Sequence, residues 1–243
     1  MIVPLSQATD AAAFGGKAQQ LGRALNAQLP VPPGFAVSVD GVAAAMTADP
    51  EIVAQIADAV ASIDGPFAAR SSAVGEDAAD ASFAGQHVTV LNLHSADAAL
   101  DGLRAVYHSA HDPAALAYRA KKGISGPVRI AAVLQKLVVP TCAGVLFTRH
   151  PVTGADEFVI EAAWGLGEAV VQGMVTPDHI RLARDGRILE QRTGDKPIAI
   201  RCNAQGGTEE IEVEPHLVEA PCLEEADLAR LVHLAQRCES EFG

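Results

Sequence analysis

The sequence has few aromatic residues and no long apolar run. Phe, Trp and Tyr make up 4% of its 243 residues, so we expect a core of Ala, Val, Leu and Ile. No apolar stretch approaches the roughly 18 residues that a membrane-spanning helix needs. The first ten residues lack the basic start and apolar segment of a signal peptide, which favours a cytoplasmic location. With 49% hydrophobic and 20% charged residues, the composition excludes a disordered chain.

Cysteine is also scarce. The four cysteines lie far apart and form no CxxC pair, which argues against a zinc knuckle, a dithiol redox motif or a disulfide framework. We therefore expect reduced thiols that pack as small hydrophobic side chains at Cys142, Cys202, Cys222 and Cys238.

Basic residues are outnumbered by acidic ones. There are 18 Lys and Arg against 30 Asp and Glu, which gives a net charge of -12. Such a surface repels nucleic-acid phosphate and anionic lipid, so we expect neither nucleic acid nor membrane among the partners. A chain of this length fits one large domain or two small lobes.

Hydrophobic periodicity predicts a mixed protein of the α+β class, built as two lobes, because the strands cluster instead of alternating with helices. The predicted helices cover residues 14–25, 42–63 with a break near Pro50, 97–120 with a break near Pro113, and the end from about Pro221. The predicted strands cover residues 66–72, 88–93, 128–138, 143–148 and 157–164, followed by a hairpin at 179–191.

Three local details of this prediction can be checked against the structure. Gly15 and Gly16 are expected where the first helix begins. The strands at 128–138 and 143–148 could pair antiparallel across a short link. Asp185 and Gly186 favour a two-residue type I′ turn in the hairpin.

The segment GGKAQQLG, residues 15–22, is the first candidate for anion binding. Its glycines permit close approach of the backbone, amide groups at a helix start point toward an anion, and Lys17 adds a positive charge. It is not a Walker A loop, which requires GxxxxGK[ST]. Taken alone, the segment is better interpreted as a glycine turn that caps a helix beside a surface lysine.

A second candidate is RSSAVGEDAADASFAGQHVT, residues 70–89. Arg70 follows an apolar strand, and a guanidinium group binds phosphate through a planar, bidentate fork. Hydroxyl groups and glycine amides in the segment suit a loop that covers phosphates. A solvated surface loop explains the composition equally well.

Other signals are weaker. WGLGEAVVQG, residues 164–173, lacks the third glycine of a dinucleotide-binding fingerprint, although Glu161 and Glu168 flank it and could orient a ribose or a metal. His108 and His111 have the spacing of metal ligands on a helix but no third ligand nearby.

In one fixed order, these motifs resemble the N-terminal nucleotide-binding domain of the phosphoenolpyruvate synthase and pyruvate phosphate dikinase family, which includes the rifampin phosphotransferases. The resemblance runs from about Gly15 to the end of the chain. The segments that carry it are GGKAQQLG, LPVPPGF, ARSSAVGEDAADASFAGQHVTVLN, VLQKLV, AGVLFTRHPVTG and VIEAAWGLGEAVVQGMVTPD.

The resemblance implies an ATP-grasp fold with ATP and Mg²⁺ between two lobes, residues 1–138 and 139–243. An ATP phosphoryl group would pass to a histidine on a separate swivelling domain, and from there to pyruvate or another acceptor on a further domain. The pyruvate, water dikinase reaction of the family is the implied activity. Both additional domains would be partners that lie outside this chain.

The resemblance also assigns roles to individual residues. Lys17 and Arg70 would hold the phosphates and act in catalysis, and Gly85 and Thr89 would belong to the loop that covers them. Gln135 would lie at the adenine hinge, where the backbone of residues 136–138 reads the base. The remaining implied residues are Lys136, Leu137, Val138, Arg149 and Glu161.

Two departures from the family pattern leave alternatives open. Lys17 and Arg70 are closer in sequence than is usual in the family, which implies a trimmed helical segment. The family's metal ligands are expected beyond Gly243, so the metal-binding residues are unknown. The chain could instead be a catalytically inactive nucleotide-binding or regulatory protein, or part of an antibiotic phosphotransferase of the rifampin type.

Overall fold

A computed structural model describes residues 1–74, 88–121 and 126–243. The chain divides into two compact units. Unit 1 comprises Met1–Val138 and Gln205–Gly207, and unit 2 comprises Val139–Ala204 and Thr208–Gly243. Each unit has its own sheet and hydrophobic core.

Unit 1 is a five-stranded antiparallel sheet with helices on both faces. The sheet has the strand order β1-β2-β5-β3-β4. Its elements are β1 (Ile2–Pro4), α1 (Ala11–Asn26), β2 (Gly34–Val37), α2 (Val39–Met46), α3 (Pro50–Ala61), β3 (Phe67–Ala73), β4 (Thr89–Leu93), α4 (Ala96–Ala110), α5 (Pro113–Lys121) and β5 (Ile130–Lys136).

Strand alternation assigns the two faces of this sheet to different cores. Phe67 and Leu134 lie in the larger core with residues from α2, α3 and α4. Val133, the neighbour of Leu134, lies in the smaller core with Phe14 and Ala18 of α1. Since successive side chains of a strand point to opposite faces, residues 68, 70 and 72 of β3 share the face that α1 covers.

Unit 2 contains a four-stranded antiparallel sheet of order β6-β7-β8-β9 and a separate hairpin, β10-β11. Its core lies between the sheet and the last helix, where Leu228, Val232 and Ala235 are buried. The elements are β6 (Cys142–Phe147), β7 (Phe158–Trp164), α6 (Glu168–Val171), β8 (Asp178–Leu182), β9 (Ile188–Arg192), β10 (Ile198–Cys202), β11 (Thr208–Glu212) and α7 (Glu225–Phe242).

The predicted helix breaks at Pro50 and Pro113 are confirmed, and the last helix begins at Glu225, four residues after the predicted start near Pro221. Pro50 is the first residue of α3, and the Asp49 side chain accepts hydrogen bonds from the amides of Glu51 and Ile52. At the start of α7, Glu224 and Asp227 form a reciprocal capping box. These local bonds satisfy amide groups that a helix start leaves unpaired, so the sequence alone marks both sites.

The predicted pairing of segment 128–138 with segment 143–148 is wrong. β5 lies between β2 and β3 in unit 1, so both of its edges are occupied, and β6 pairs with β7 in unit 2. The link between β5 and β6 therefore joins two units instead of closing a hairpin.

The hairpin β8-β9 is confirmed, but its predicted type I′ turn is wrong. The amide of Ala183 donates to the Arg187 carbonyl (2.9 Å), and the amide of Gly186 donates to the Ala183 carbonyl (2.9 Å). Gly186 has a φ of 88°, whereas Asp185 has no positive φ. A type I′ turn needs positive φ at both central residues, so this is a three-residue loop that ends in a left-handed glycine.

Four strands were not predicted, namely β1, β2, β10 and β11. They are three to five residues long, and β10 and β11 carry charged residues that obscure any apolar run. The architecture is mixed α and β, with clustered strands as the α+β prediction requires. Of the helices in residues 1–74, 88–121 and 126–243, each is too short or too polar to cross a bilayer.

Candidate functional site

The candidate site is built on a close contact between α1 and β3. Gly15 has φ 76° and ψ 164°, which breaks α1 into two segments, so the regular helix restarts after Gly15 instead of beginning there as predicted. A Cβ atom at Gly15 would lie 2.2 Å from the Ser72 carbonyl oxygen. The amide of Ala18 donates to Ser72 Oγ (3.0 Å). The helix is therefore fixed on the strand through Ser72.

This contact changes the interpretation of GGKAQQLG. We expected its glycines and helix-start amides to approach an anion, but Gly15 instead allows close approach of β3, and the Ala18 amide is bound by Ser72. The Ser72 hydroxyl group caps the helix from a position 54 residues away in sequence, which a search for local capping motifs does not reveal.

Lys17 is bonded to the backbone of the residue that follows Arg70. The Lys17 ammonium group donates to the carbonyl oxygen of Ser71 (2.7 Å), the residue that follows Arg70 on β3. An ammonium group has three N–H donors, and this bond uses one of them to fix the position of the charge.

Arg70 lies in the middle of β3, which corrects the prediction that it follows the strand's end. Its Nη1 donates to Gln135 Oε1 (2.9 Å). Gln135 faces Ala68 in the pairing of β3 with β5, so it lies diagonally opposite Arg70 on the same sheet face. Strand pairing therefore brings these two residues together although 65 positions separate them.

Gln135 is held at both ends of its side-chain amide. Its Nε2 donates to the carbonyl oxygen of Pro32 (2.9 Å), while its Oε1 accepts from Arg70. The side chain is only 5% exposed. A buried amide with both ends bonded has one stable orientation, which in turn fixes the orientation of the Arg70 guanidinium group.

Two cationic side chains thus occupy one region of unit 1, on the sheet face that α1 covers. The arrangement suits phosphate groups, which accept charge-assisted hydrogen bonds from both lysine and arginine.

The other residues predicted for this region lie at its margins. Thr89 on β4 is the direct cross-strand partner of Arg70 and is exposed. Gly85 lies outside the described residues. Lys136 pairs with Asp64 (3.5 Å) and, as the neighbour of Gln135 on β5, lies on the opposite face of the sheet.

Residues 136–138, whose backbone is expected to contact the adenine base, follow Gln135 directly. The amides of Lys136 and Leu137 donate to the carbonyl oxygens of Pro33 (2.9 Å) and Pro66 (2.8 Å). Val138 is 58% exposed at the end of unit 1. Base recognition by this backbone stays a prediction, and contacts through the first two amides would require these bonds to break.

Arg149 and Glu161 belong to unit 2. Arg149 pairs with Asp156 (3.7 Å) in an exposed position after β6. Glu161 lies on β7 opposite His179 of β8, with 3.6 Å between Oε1 and Nδ1. The predicted site residues are thus divided between the two units, and in unit 1 a side-chain hydrogen bond joins Arg70 to Gln135 while Lys17 is bonded to Ser71, the next residue after Arg70.

A buried ion pair in unit 2 was not predicted. Asp178 accepts hydrogen bonds from Lys196 Nζ, from the Gly194 amide (2.8 Å) and from the Cys222 amide (2.8 Å). Lys196 is fully buried, which the sequence gives no sign of because isolated lysines are normally exposed. Burial acts to raise the pKa of Asp178, but these hydrogen bonds outweigh it and hold the pKa below its usual value.

A family comparison accounts for most of the chain. The family described as pyruvate phosphate dikinase, AMP/ATP-binding domain, matches residues 47–243. The chain belongs to this family. Its relatives include a probable phosphoenolpyruvate synthase of Methanothermobacter thermautotrophicus, which is 34% identical over 281 aligned residues that cover 96% of this chain and 41% of the relative.

Two further relatives of this AMP/ATP-binding domain carry different names. A probable phosphoenolpyruvate synthase of Archaeoglobus fulgidus is 39% identical over 178 residues, covering 72% of this chain and 24% of the relative. A rifampicin phosphotransferase of Streptomyces sviceus is 37% identical over 179 residues, covering 73% and 20%. The chain thus spans less than half the length of these relatives.

A metal centre is not evident in the described part of this AMP/ATP-binding domain. Residues 1–74, 88–121 and 126–243 contain no group of three or more His, Cys, Asp or Glu side chains that could hold a metal ion. His111 instead stacks on Tyr107 at 4.2 Å between ring centroids, and its Nδ1 lies 2.8 Å from the Tyr107 carbonyl oxygen. The described residues therefore show no preformed metal cluster of this kind.

Proposed function

We propose that the chain is the ATP-binding module of a phosphotransferase similar to phosphoenolpyruvate synthase. Lys17 and Arg70 would hold the phosphate groups of ATP, with Thr89 and Gly85 in the covering loop. The module would have the ATP-grasp fold, with residues 1–138 as the first lobe and residues 139–243 as the second. Gln135 and the backbone of residues 136–138 would contact the adenine, and Arg149 and Glu161 would complete the pocket.

The observation that supports this proposal is the position of Lys17. Its ammonium group is bonded to the carbonyl oxygen of Ser71 at 2.7 Å, so α1 brings a cation to the β3 residue that follows Arg70. Phosphoryl transfer demands positioning and charge neutralisation around the phosphates more than covalent help from the protein. Lys17 and Arg70 would supply both, because hydrogen bonds to the Ser71 carbonyl and to Gln135 hold their charged groups in place.

In the proposed reaction a histidine nitrogen on a separate swivelling domain attacks a phosphorus atom of ATP. The P–N bond forms as the P–O bond to the remaining nucleotide breaks, and Lys17 and Arg70 offset the negative charge on the oxygens. The phosphohistidine then delivers the phosphoryl group to pyruvate or another acceptor. Mg²⁺ would enter with ATP and would help to neutralise the phosphate charge.

The proposal is tested by titration calorimetry with ATP. Arg70→Ala should weaken binding by about 1.5–3 kcal/mol, since it removes charge-assisted hydrogen bonds. Lys17→Ala should weaken binding in the same direction. Arg104→Ala is the matched control, because this exposed arginine on α4 pairs with Asp101 and lies on the helix layer opposite α1. Equal affinity for the wild type and both variants would rule out the phosphate assignment.

The acceptor is tested separately. The named relatives point to pyruvate or a rifamycin antibiotic as alternatives. The chain would be combined with the histidine and acceptor domains of either relative, and ATP consumption would be followed with each acceptor. Consumption that requires pyruvate supports the phosphoenolpyruvate synthase assignment. Consumption that requires rifampicin supports the antibiotic phosphotransferase, and ATP binding without consumption supports a nucleotide-binding protein.

A further inference from the structure

The loop between β6 and β7 contains a tight turn that a histidine side chain closes. The amides of Val152 and Thr153 lie 3.2 Å and 3.3 Å from Nδ1 of His150. Pro151 has no amide hydrogen, so these are the first two amide donors after His150. Gly154 ends the turn with a φ of 70°, in the left-handed region that favours glycine. The histidine therefore caps the backbone that follows it.

The direction of these two hydrogen bonds fixes the state of the imidazole ring. A backbone N–H group can only donate, so Nδ1 of His150 is the acceptor. In a neutral imidazole one ring nitrogen accepts and the other carries the hydrogen atom, which here must be on Nε2. In a protonated imidazole both ring nitrogens are donors, and the acceptor is lost.

We propose that His150 is a proton-sensitive cap, which holds residues 151–153 in the closed turn when its ring is neutral and releases them when its ring is protonated. Histidine side chains ordinarily gain a proton between about pH 8 and pH 5, so we expect the release within that range. The cap lies in unit 2 and does not depend on the phosphate contacts proposed for Lys17 and Arg70 in unit 1.

The base of the turn does not depend on the imidazole ring. The amide of His150 donates to the carbonyl oxygen of Ala155 (3.0 Å), and the amide of Gly154 donates to the carbonyl oxygen of His150 (2.9 Å). These bonds join backbone groups, which do not titrate. Protonation should therefore release residues 151–153, where Val152 is 87% exposed, and leave β6 and β7 paired.

The charged groups around the turn do not replace the lost acceptor. Glu157, just before β7, attracts a protonated His150, but this attraction gives the two amides no new partner. The Glu157 carboxylate accepts two hydrogen bonds from Arg181, both of 2.9 Å, which hold its pKa below the usual value. It therefore stays charged throughout the range, and its own titration cannot imitate that of His150. The other charged groups here pair with one another, namely Arg149 and Asp156 of the loop, Arg184 after β8 and Glu239 of α7.

The test follows the folded 243-residue chain by NMR between about pH 8 and pH 5. At the alkaline end, the ¹⁵N shifts of the His150 ring should show a hydrogen atom on Nε2 and none on Nδ1. As the ring gains its proton, the amides of Val152 and Thr153 should lose protection against hydrogen exchange. After correction for the intrinsic pH dependence of exchange, we expect a loss of about 2- to 10-fold, which corresponds to a typical hydrogen bond. The amide of Gly154 should keep its protection.

Two variants separate the acceptor from its titration. His150→Asn keeps an acceptor, since an asparagine side chain can bond the backbone amide two residues ahead, and should protect the turn at every pH in the range. His150→Ala should leave the turn unprotected at every pH. His216→Asn is the matched control, because it removes an exposed histidine of unit 2 that pairs with Glu214, and it should respond as the wild type.

The wild-type spectra alone can overturn the proposal, so it does not depend on a variant folding. A hydrogen atom on Nδ1 of neutral His150 would contradict the assigned acceptor. Amides of Val152 and Thr153 that keep their protection while the His150 ring titrates would show that the ring does not hold the turn. A pH response of these amides that persists in His150→Asn would assign the release to another group.

Discussion

At the scale of single residues, Gln135 controls the geometry of the candidate site. It accepts a hydrogen bond from Arg70 and donates one to Pro32, so one buried amide links β3, β5 and the segment before β2. The resemblance assigned Gln135 to the adenine hinge. The structure adds a second relation, in which Gln135 orients the guanidinium group that is proposed to bind phosphate.

Replacing Gln135 with Leu should therefore weaken ATP binding through Arg70. Leucine fills a similar volume but removes the hydrogen bonds to the Arg70 guanidinium and the Pro32 carbonyl, an unfavourable change of about 1–3 kcal/mol. Titration calorimetry on Gln135→Leu, Arg70→Ala and the double variant forms a double-mutant cycle. Gln55→Leu serves as the control, because the half-buried Gln55 on α3 donates to Glu51 on the same helix and makes no contact with Arg70 in the described residues.

The cycle separates positioning from direct contact with the nucleotide. If Gln135 acts through Arg70, its replacement should have little further effect once Arg70 is alanine. Full additivity of the two losses would contradict the positioning role. It would favour a Gln135 that binds the nucleotide by itself, as the resemblance alone implies.

At the scale of secondary-structure elements, the position of Lys17 depends on how α1 rests on β3. Gly15 has a backbone conformation that is accessible almost only to glycine, with φ 76° and ψ 164°. It also lies against Ser72, so the glycine is required both for its dihedral angles and for the close approach of two backbones. Lys17 follows two residues later and takes its position from this contact.

Gly15→Ala should destabilise unit 1 by at least about 3 kcal/mol, since it combines backbone strain with a steric clash. It should also lower ATP affinity if the chain folds, because α1 must move away from β3. Urea unfolding and calorimetry measure the two effects. Gly65→Ala is the matched control: Gly65 also has a positive φ of 94°, but no atom lies within 4 Å of its added Cβ.

Gly65→Ala should lose only the stability that backbone strain costs, about 1–3 kcal/mol, and should keep the ATP affinity of the wild type. Equal destabilisation by the two substitutions would mean that the contact between Gly15 and Ser72 carries no energy of its own.

The elements themselves differ in how far the sequence predicts them. The break at Pro50 and the hairpin at Gly186 depend on residues a few positions apart, and both were predicted. Strand partners depend on contacts between distant segments. This is why the neighbours of β5 were predicted wrongly and the short strands were missed.

The candidate site follows the same division. Residue chemistry and family resemblance pointed to Lys17, Arg70 and Gln135. The bonds that position them, from Lys17 to Ser71 and from Arg70 to Gln135, connect residues 54 and 65 positions apart. No periodicity or spacing rule contains that information. The roles of Ser72 as a helix cap and of the Pro32 carbonyl as an anchor became evident only from the fold.

At the scale of the whole molecule, the chain has a net charge of -12, and a buried ion pair between Asp178 and Lys196 joins three parts of unit 2. Asp178 starts β8, Lys196 precedes β10, and the Cys222 amide belongs to the segment before α7. All of these polar atoms are hydrogen-bonded. The cost of burying the two charges is therefore offset by specific bonds that hold the segments together.

Removing one partner of this pair should be much more harmful than removing both. Asp178→Ala leaves a buried ammonium group and should cost about 3–5 kcal/mol in urea unfolding. Asp178→Leu combined with Lys196→Met should recover much of that loss, since no unpaired charge remains. Asp101→Ala, at an exposed aspartate on α4, should change stability by less than about 0.5 kcal/mol. A double variant as unstable as the single one would show that the charges themselves are required.

The same pair predicts how stability depends on pH. The pKa of Asp178 is lower in the folded chain than its ordinary value, so its contribution is present above the unfolded pKa of about 4 and is lost as pH falls through the lower folded value. Wild-type stability in urea should therefore decline below about pH 4. Asp178→Asn cannot titrate at this position, so its curve should be flatter over that range and should approach the wild-type curve at low pH. Parallel curves for the two proteins below pH 4 would contradict the assignment, because the acid loss would then arise from other carboxylates.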